Sequence, residues 1–288
     1  MKITAKLLGV LVLAAIAVTT VSVRAQDEKG SPPFNKAPGT MGVVQVMSYN
    51  LGMLRRVGGA THAVNGVFFV ANGTMSEVGK DKSFTEYKLP KATVEMTYYK
   101  FKQGVVESPG SRWDFSLVDS SGEMQRKIFA AAGKYAWDED TPGGNATPVA
   151  DAATYRLTLN SLSPQGLVWQ VLTPDGKGLV PGVKQDDEGG KIVLTIPVNG
   201  VPAKVTLGEL NRPEKVETRV KHPVLGDTPI ELDYSDYRDI EGSYQIFFPG
   251  HIVEKLGGHT VLDITVTEFH TNAYSVFPVP TNVGQGAK

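Results

Sequence analysis

The chain contains no cysteine. That one absence excludes disulfide frameworks, thiolate metal sites and cysteine nucleophiles. An excess of charge of either sign is also missing: 29 Lys and Arg stand against 30 Asp and Glu in 288 residues. Without a basic surplus there is no phosphate-binding footprint, and nucleic acid is excluded as a partner. Long hydrophobic runs are scarce too. Leu7 to Val18 covers 12 residues, short of the roughly 20 that span a bilayer.

That run instead has the form of an export signal. Lys2 and Lys6 precede it, and Val23-Arg24-Ala25 follows with a small residue before the expected cleavage at Gln26. Thr19, Thr20 and Ser22 leave a marginal anchor as the alternative. The expectation is a signal peptide over residues 1–25 and a flexible leader over 26–40. A single β-rich domain over 41–283 and a tail over 284–288 complete the chain. The mature protein is then exported to the periplasm or the extracellular space, with no stable membrane span after signal cleavage.

The mature sequence alternates with period two. Ile192, Leu194, Ile196 and Val198 lead to Asn199-Gly200, the pair suited to a type I′ turn, and Val201, Ala203, Val205 and Leu207 return. Val94, Met96 and Tyr98 share one face of a second strand, and Trp113, Phe115 and Leu117 share one face of a third. Val216, Thr218 and Val220, then Ile230, Leu232 and Tyr234, then Leu262, Ile264 and Val266 repeat the pattern. Helical spacing is confined to Met41–Arg56 and to a segment capped by Asp151 with Ala152, Tyr155, Leu159 and Leu162 on one face. The fold class expected is mainly β (α+β): a large curved antiparallel sheet, half-barrel like, with about two helices packed on it. Asp138 to Gly144 and Asp186 to Gly190 read as solvated loops.

Signatures of chemistry are few. There is no Gly-x-Ser-x-Gly elbow, no Ser-x-x-Lys and no phosphate-cradling Gly-Lys-Ser/Thr, and Gly176-Lys177-Gly178 lacks the spacing of a dinucleotide fingerprint. No catalytic residue, cofactor or metal is expected. His251 and His259 flank Gly257-Gly258, where a hairpin would bring them together, but two histidines across a turn read as surface residues. Asp233, Asp236 and Asp239 surround Arg238 and read as ion pairing at a strand end.

The aromatics are the more informative set. Tyr98, Trp113, Phe115, Tyr135, Trp137, Tyr244, Phe247 and Phe248 fall in or beside strands. In a closed sandwich they are core; in a strongly curved, partly open sheet the concave face becomes an apolar trough able to take a ligand. Strand parity nominates Val94, Met96, Tyr98, Trp113, Phe115, Trp137, Ile230, Leu232 and Tyr234 as its lining.

Short matches support that architecture. Lys221-His222-Pro223-Val224-Leu225-Gly226-Asp227-Thr228-Pro229-Ile230-Glu231-Leu232 and Tyr234-Ser235-Asp236-Tyr237-Arg238-Asp239 carry the first of them. Arg126-Lys127-Ile128-Phe129, Gly133 to Trp137, Phe248-Pro249, Leu262 to Thr267 and Phe277-Pro278-Val279-Pro280 carry the rest. Over residues 90–280 the chain resembles the exported β-rich module that precedes metallo-β-lactamase-like hydrolase domains in bacteria. That module is itself similar to the periplasmic lipoprotein-carrier (LolA-like) fold, an antiparallel half-barrel plugged by helices. The resemblance implies a fold that can hold acyl chains. It transfers no catalytic residue, because the hydrolase domain and its His-x-His-x-Asp-His zinc signature are absent from the sequence. The approach Gly242 to Pro249 is also longer than the pattern it resembles. The expected function is non-catalytic binding of a hydrophobic or lipidated ligand in the cell envelope. A module with a filled core that docks another envelope protein or a hydrolase is the alternative, and an enzyme with an unrecognised site comes third.

Overall fold

The computed structural model describes residues 39–52, 55–57, 60–62, 64–98, 109–173, 178–239, 246–273 and 275–285. The expected signal peptide, nearly all of the leader, Tyr244 and residues 242–245 lie outside the described residues.

Thirteen strands form one antiparallel sheet. In chain order they are β1 (Gly66–Val78), β2 (Phe84–Thr97), β3 (Gly110–Val118), β4 (Met124–Ala132), β5 (Tyr135–Glu139), β6 (Thr147–Pro148), β7 (Lys184–Glu188), β8 (Lys191–Val198), β9 (Val201–Leu207), β10 (Pro213–His222), β11 (Gly226–Ser235), β12 (His251–Leu256) and β13 (His259–Thr271). The spatial order is β6-β5-β4-β3-β2-β1-β13-β12-β11-β10-β9-β8-β7. Two up-and-down meanders are therefore joined along a single seam, where the first strand pairs with the last. Phe269 lies opposite Phe69 and Ile264 opposite Gly73.

Hairpin chemistry sets the register. Asn199 (φ 50°) and Gly200 (φ 80°) make the turn that pairs Val198 with Val201, Ile196 with Ala203 and Leu194 with Val205, as the alternation predicts. The sheet is open, and its curvature comes from register shifts at Ala71/Gly73, Lys88/Lys91, Thr206/Leu207, Glu254/Lys255 and Val266/Glu268. Each shift breaks the ladder locally and bends the strand. Gly73 is required at the seam, because a Cβ there would lie 1.9 Å from the carbonyl oxygen of Asp263. The two edges discourage further pairing: β6 has two residues, one of them proline, and β7 (Lys-Gln-Asp-Asp-Glu) is exposed throughout. Asp186 to Glu188, expected as part of a loop, thus belong to an edge strand, and Gly189-Gly190 form the turn after it. Asp138 and Glu139 likewise belong to β5.

Among the described residues four α-helices accompany the sheet: α1 (Gly39–Asn50), α2 (Ala153–Leu162), α3 (Pro164–Val171) and α4 (Thr281–Gln285). α1 stops short of the expected Arg56. Gly52 takes φ 79°, and a Cβ there would meet Val64 at 2.9 Å; residues 55–57 and 60–62 then pair as a short hairpin. Asp151 does not cap α2. It lies in a 3-10 turn, Ala150–Ala152, and no side chain caps the helix that follows. The helical stretch is also longer than its spacing suggests. Ser163 adopts extended backbone, accepts a hydrogen bond from Gly166 N, and with Pro164 starts α3. Leu162, Leu167, Val168 and Val171 are buried with the inward residues of both meanders in one core. A smaller cluster forms on the opposite face, where Phe277 and Val283 cover Ala130, Ala132 and Trp137.

Candidate ligand cavity

The plug of α2 and α3 does not fill the concave face. A cavity of about 270 Å³ remains between α2 and the sheet, bordered by residues of β1, β3, β4, β10, β12 and β13. A second space of about 30 Å³ lies beside it. Trp113, Leu159, Glu254 and Leu262 line both spaces. An aromatic row leads across the seam to this wall. Phe269 stacks on Phe248 (4.1 Å between centroids), Phe248 packs on Phe69, Phe69 meets Trp113 edge-on, and Trp113, Phe115 and Phe129 continue the contact.

Polar groups converge at one side of the cavity. On β12, Ile252, Glu254 and Leu256 point inward by strand parity, and Glu254 lies between Leu232 and Leu262 on the neighbouring strands. The residue is 5% exposed. Oε1 accepts a hydrogen bond from the Tyr155 hydroxyl at 2.6 Å; Oε2 has no partner among the described residues. Burial pushes the carboxyl up to about 7, although the Tyr155 hydrogen bond works in the other direction. The Tyr155 hydroxyl is itself pushed well up by burial and by the adjacent carboxylate. The His222 ring meets Tyr155 edge-on at 4.9 Å. His222 Nδ1 accepts from the backbone N–H groups of Val224 and Leu225, which places the ring proton on Nε2. Burial lowers its pKa and favours the neutral ring.

Arg156 also borders the cavity, but its charge is committed. Nη2 donates to Asp138 at 2.6 Å and Nη1 donates to the carbonyls of Trp137 and Ala130, with the guanidinium 4.8 Å from the centroid of Phe129. Glu77 at the rim is paired with Lys127.

The residues nominated from parity do not all meet at the cavity. Trp113 and Phe115 line the larger space, and Met96, Leu232 and Tyr234 line the smaller. Val94 and Ile230 face the same way but are packed in the core. Tyr98 and Tyr234 hold the helical plug in place: the Tyr98 hydroxyl bonds Ser163 Oγ at 2.9 Å, and the Tyr234 hydroxyl donates to the Leu162 carbonyl. Trp137 is on the other face. It lies opposite Ala130 across β4 and β5, under Phe277, with Nε1 donating to Glu139. The Gly133-Lys134 turn fixes that register and sets Trp137 on the face away from Phe129, so its nomination to the trough is corrected. Glu254, Tyr155 and His222 were not nominated. Their signal was a charged residue at an apolar position in Ile252-Val253-Glu254-Lys255-Leu256.

Two other constellations carry less. Ser235 Oγ lies 3.3 Å from His251 Nδ1, and His251 Nε2 lies 2.8 Å from Asp263. This is a serine–histidine–aspartate line, but it sits on the solvent face of the sheet with Asp263 half exposed, outside either cavity. His259 does not approach His251; it stacks on Phe84. Among the described residues, no cluster of three or more His, Asp or Glu is placed to hold a metal ion. Asp233, expected to pair with Arg238, pairs instead with Lys255 and Lys215.

Comparison with known proteins adds no function: no family model matches the chain, and no curated protein matches it.

Proposed function

We propose that the protein is a non-catalytic carrier or receptor for a small hydrophobic or lipidated ligand in the cell envelope, held between α2 and the concave face. The observation that carries this reading is the cavity of about 270 Å³ walled by aromatic and aliphatic side chains. Dry apolar cavities of about 150 Å³ already take benzene, so the space suits a larger apolar group, and its open side allows a chain to extend outward. Each CH₂ buried would contribute about 0.8 kcal/mol, opposed by the cost of ordering ligand and side chains. Among the described residues no helix is long and apolar enough to cross a membrane.

The test is organic extraction and mass spectrometry of the protein purified from its own envelope, followed by calorimetry with linear alcohols from hexanol to dodecanol. A stoichiometric apolar species, or affinity that rises with chain length and then levels off, is the expected result. A clean protein that binds none of the alcohols would leave the docking module. The full packing of Val94, Ile230 and the helical plug elsewhere on the concave face favours that second reading.

A further inference from the structure

The cavity is walled mainly by apolar and aromatic side chains, Arg156 and Glu77 on its border are paired within the protein, and the remaining acid selects among apolar ligands. We infer that Glu254 is the polar anchor of the cavity and that the preferred ligand is a lipophilic amine, an apolar chain or ring system bearing one ammonium group. The inference rests on the proposed function, since it names the class of ligand for the same site.

The geometry begins with an unbalanced carboxyl. Glu254 is buried between two leucines and accepts one hydrogen bond, from Tyr155, on Oε1. Oε2 is left without a protein partner among the described residues, beside a space large enough for a ligand. Oε2 is not among the fully buried polar atoms, so it stays reachable from the cavity and open to a donor or a counter-charge brought by a ligand. The protein does not supply the charge. Arg156 is the cation bordering the cavity, and it is taken up by Asp138 and two carbonyls. The neutral His222 ring and the Tyr155 hydroxyl bring no cation either.

Three ligand head groups can be compared at Oε2. A carboxylate would place a second acid against Glu254 and is disfavoured. A hydroxyl would add one neutral hydrogen bond of the kind Tyr155 already makes. An ammonium supplies both donor and charge, and charge-assisted hydrogen bonds are roughly twice as strong as neutral ones. The surroundings favour the cation further. The rings of Trp113, Tyr155 and His222 border the same space, and aromatic rings beside a carboxylate are the usual recognition chemistry for ammonium groups.

Proton linkage follows from the pair. The groups facing Glu254 are Tyr155 and Arg156 from α2, His222 from β10, Glu77 from β1 and Tyr234 from β11. Glu254 must be ionised to pair with an ammonium, so amine affinity falls as pH drops below about 7. Protonation of His222 at lower pH would add repulsion in the same direction. The Glu254→Gln variant separates the two effects, because it retains the histidine.

The experiment is calorimetric titration of the full protein with decylamine, decanol and decanoate at pH 8 and pH 5.5, repeated with Glu254→Gln. Gln can still accept from Tyr155, and circular dichroism checks that the variant is folded. Expected for the native protein at pH 8 is binding of decylamine at least tenfold tighter than decanol, with decanoate weakest. That preference should shrink at pH 5.5 and vanish in the variant. Equal binding of amine and alcohol, or tightest binding of decanoate, overturns amine selection while leaving the apolar cavity reading intact. Failure of all three ligands to bind overturns both readings. Comparison among the three ligands in the native protein decides the question even if the variant does not fold.

Discussion

Glu139 and Glu254 are almost equally buried, 7% and 5% exposed, and each accepts a hydrogen bond from an aromatic side chain. They lie on opposite faces of the same sheet and titrate in opposite directions. Burial raises both. At Glu139 it is outweighed by donors from Arg112, Gly143 N and Trp137 Nε1, and the carboxyl is held below its ordinary value. At Glu254 a single hydroxyl opposes burial, and the carboxyl rises to about 7. The convex-face carboxylate is fully engaged by protein groups, tying β3 to β5 and the loop after it. The concave-face carboxylate keeps one oxygen free beside a cavity. Burial alone therefore does not set the direction in which a carboxyl titrates; the hydrogen-bond donors around it decide.

The largest effect should come from breaking the engaged site. Arg112→Ala leaves Glu139 buried without its counter-charge and removes a guanidinium 5.4 Å from the centroid of Phe277. Loss of one partner from a buried ion pair costs about 3 to 5 kcal/mol, to be read as a drop in the urea midpoint at pH 7. Because the Glu139 carboxyl is depressed, its contribution is present above about pH 4.5, its ordinary value, and fades as pH falls. The difference between native protein and variant should narrow in acid.

Glu254 should behave in reverse. A carboxyl raised from 4.5 to about 7 contributes most to stability below pH 4.5 and loses that contribution as pH rises through 7. Glu254→Gln removes the titration. The variant should match the native protein near pH 4 and exceed it at pH 8 by at most roughly 3 kcal/mol, measured by urea unfolding across pH. A native stability that climbs steadily from pH 5 to pH 8, with no gain in the variant, would refute the raised carboxyl.

Much of this sheet was legible in the sequence because period two and turn residues fix register locally. Asn199-Gly200 and the apolar positions around it specified the β8–β9 hairpin down to the pairs Leu194–Val205 and Ile196–Ala203. Parity also placed Trp113 and Phe115 on one face, as their contacts confirm. Parity does not say which face is concave, nor how one hairpin's faces connect to the next, and this is why Trp137 was grouped with residues on the other side. α3 is not foreseen because the expected helical face ends at Leu162, and Ser163-Pro164-Gln165-Gly166 reads as a stop rather than as the start of a second helix. The acid runs were read as loops because charge dominates the local pattern, yet β7 is an edge strand and Glu139 is buried with a partner from β3, 27 residues earlier in the chain. Glu254 was the most informative residue missed. A cavity depends on how long-range elements meet, so its polar anchor could be flagged only as an acid at an inward position.

A matched pair of aromatic substitutions sharpens the contrast. Trp137→Phe removes one of three donor groups at Glu139 and should cost about 2 kcal/mol, with Arg112 and Gly143 N holding the carboxylate ionised. Tyr155→Phe removes the single donor at Glu254. Since that hydrogen bond is what opposes burial, the Glu254 midpoint should move upward, observable by carbon NMR of the carboxyl. An unchanged midpoint would mean that the hydroxyl does not engage the carboxylate.

The smallest effect belongs to a third carboxylate, which separates burial from charge pairing. Glu231 lies on β11 one residue before Leu232, facing solvent, opposite Lys255. Hydrogen bonds from Lys255 and Lys215 hold its carboxyl down at about 2. It is therefore depressed like Glu139, but by exposed partners. Lys255→Ala should cost only about 0.5 kcal/mol at pH 7, because solvent and salt screen surface pairs. The loss should shrink further in 0.5 M salt, a concentration at which the screening length is only about 4 Å. The remaining contribution disappears as pH falls from 4.5 toward 2. If Lys255→Ala instead cost as much as Arg112→Ala and ignored salt, the convex face near β11 would be as dry as the cover under Phe277. The distinction drawn from Glu139 and Glu254 would then have to rest on partners alone, with burial playing no part.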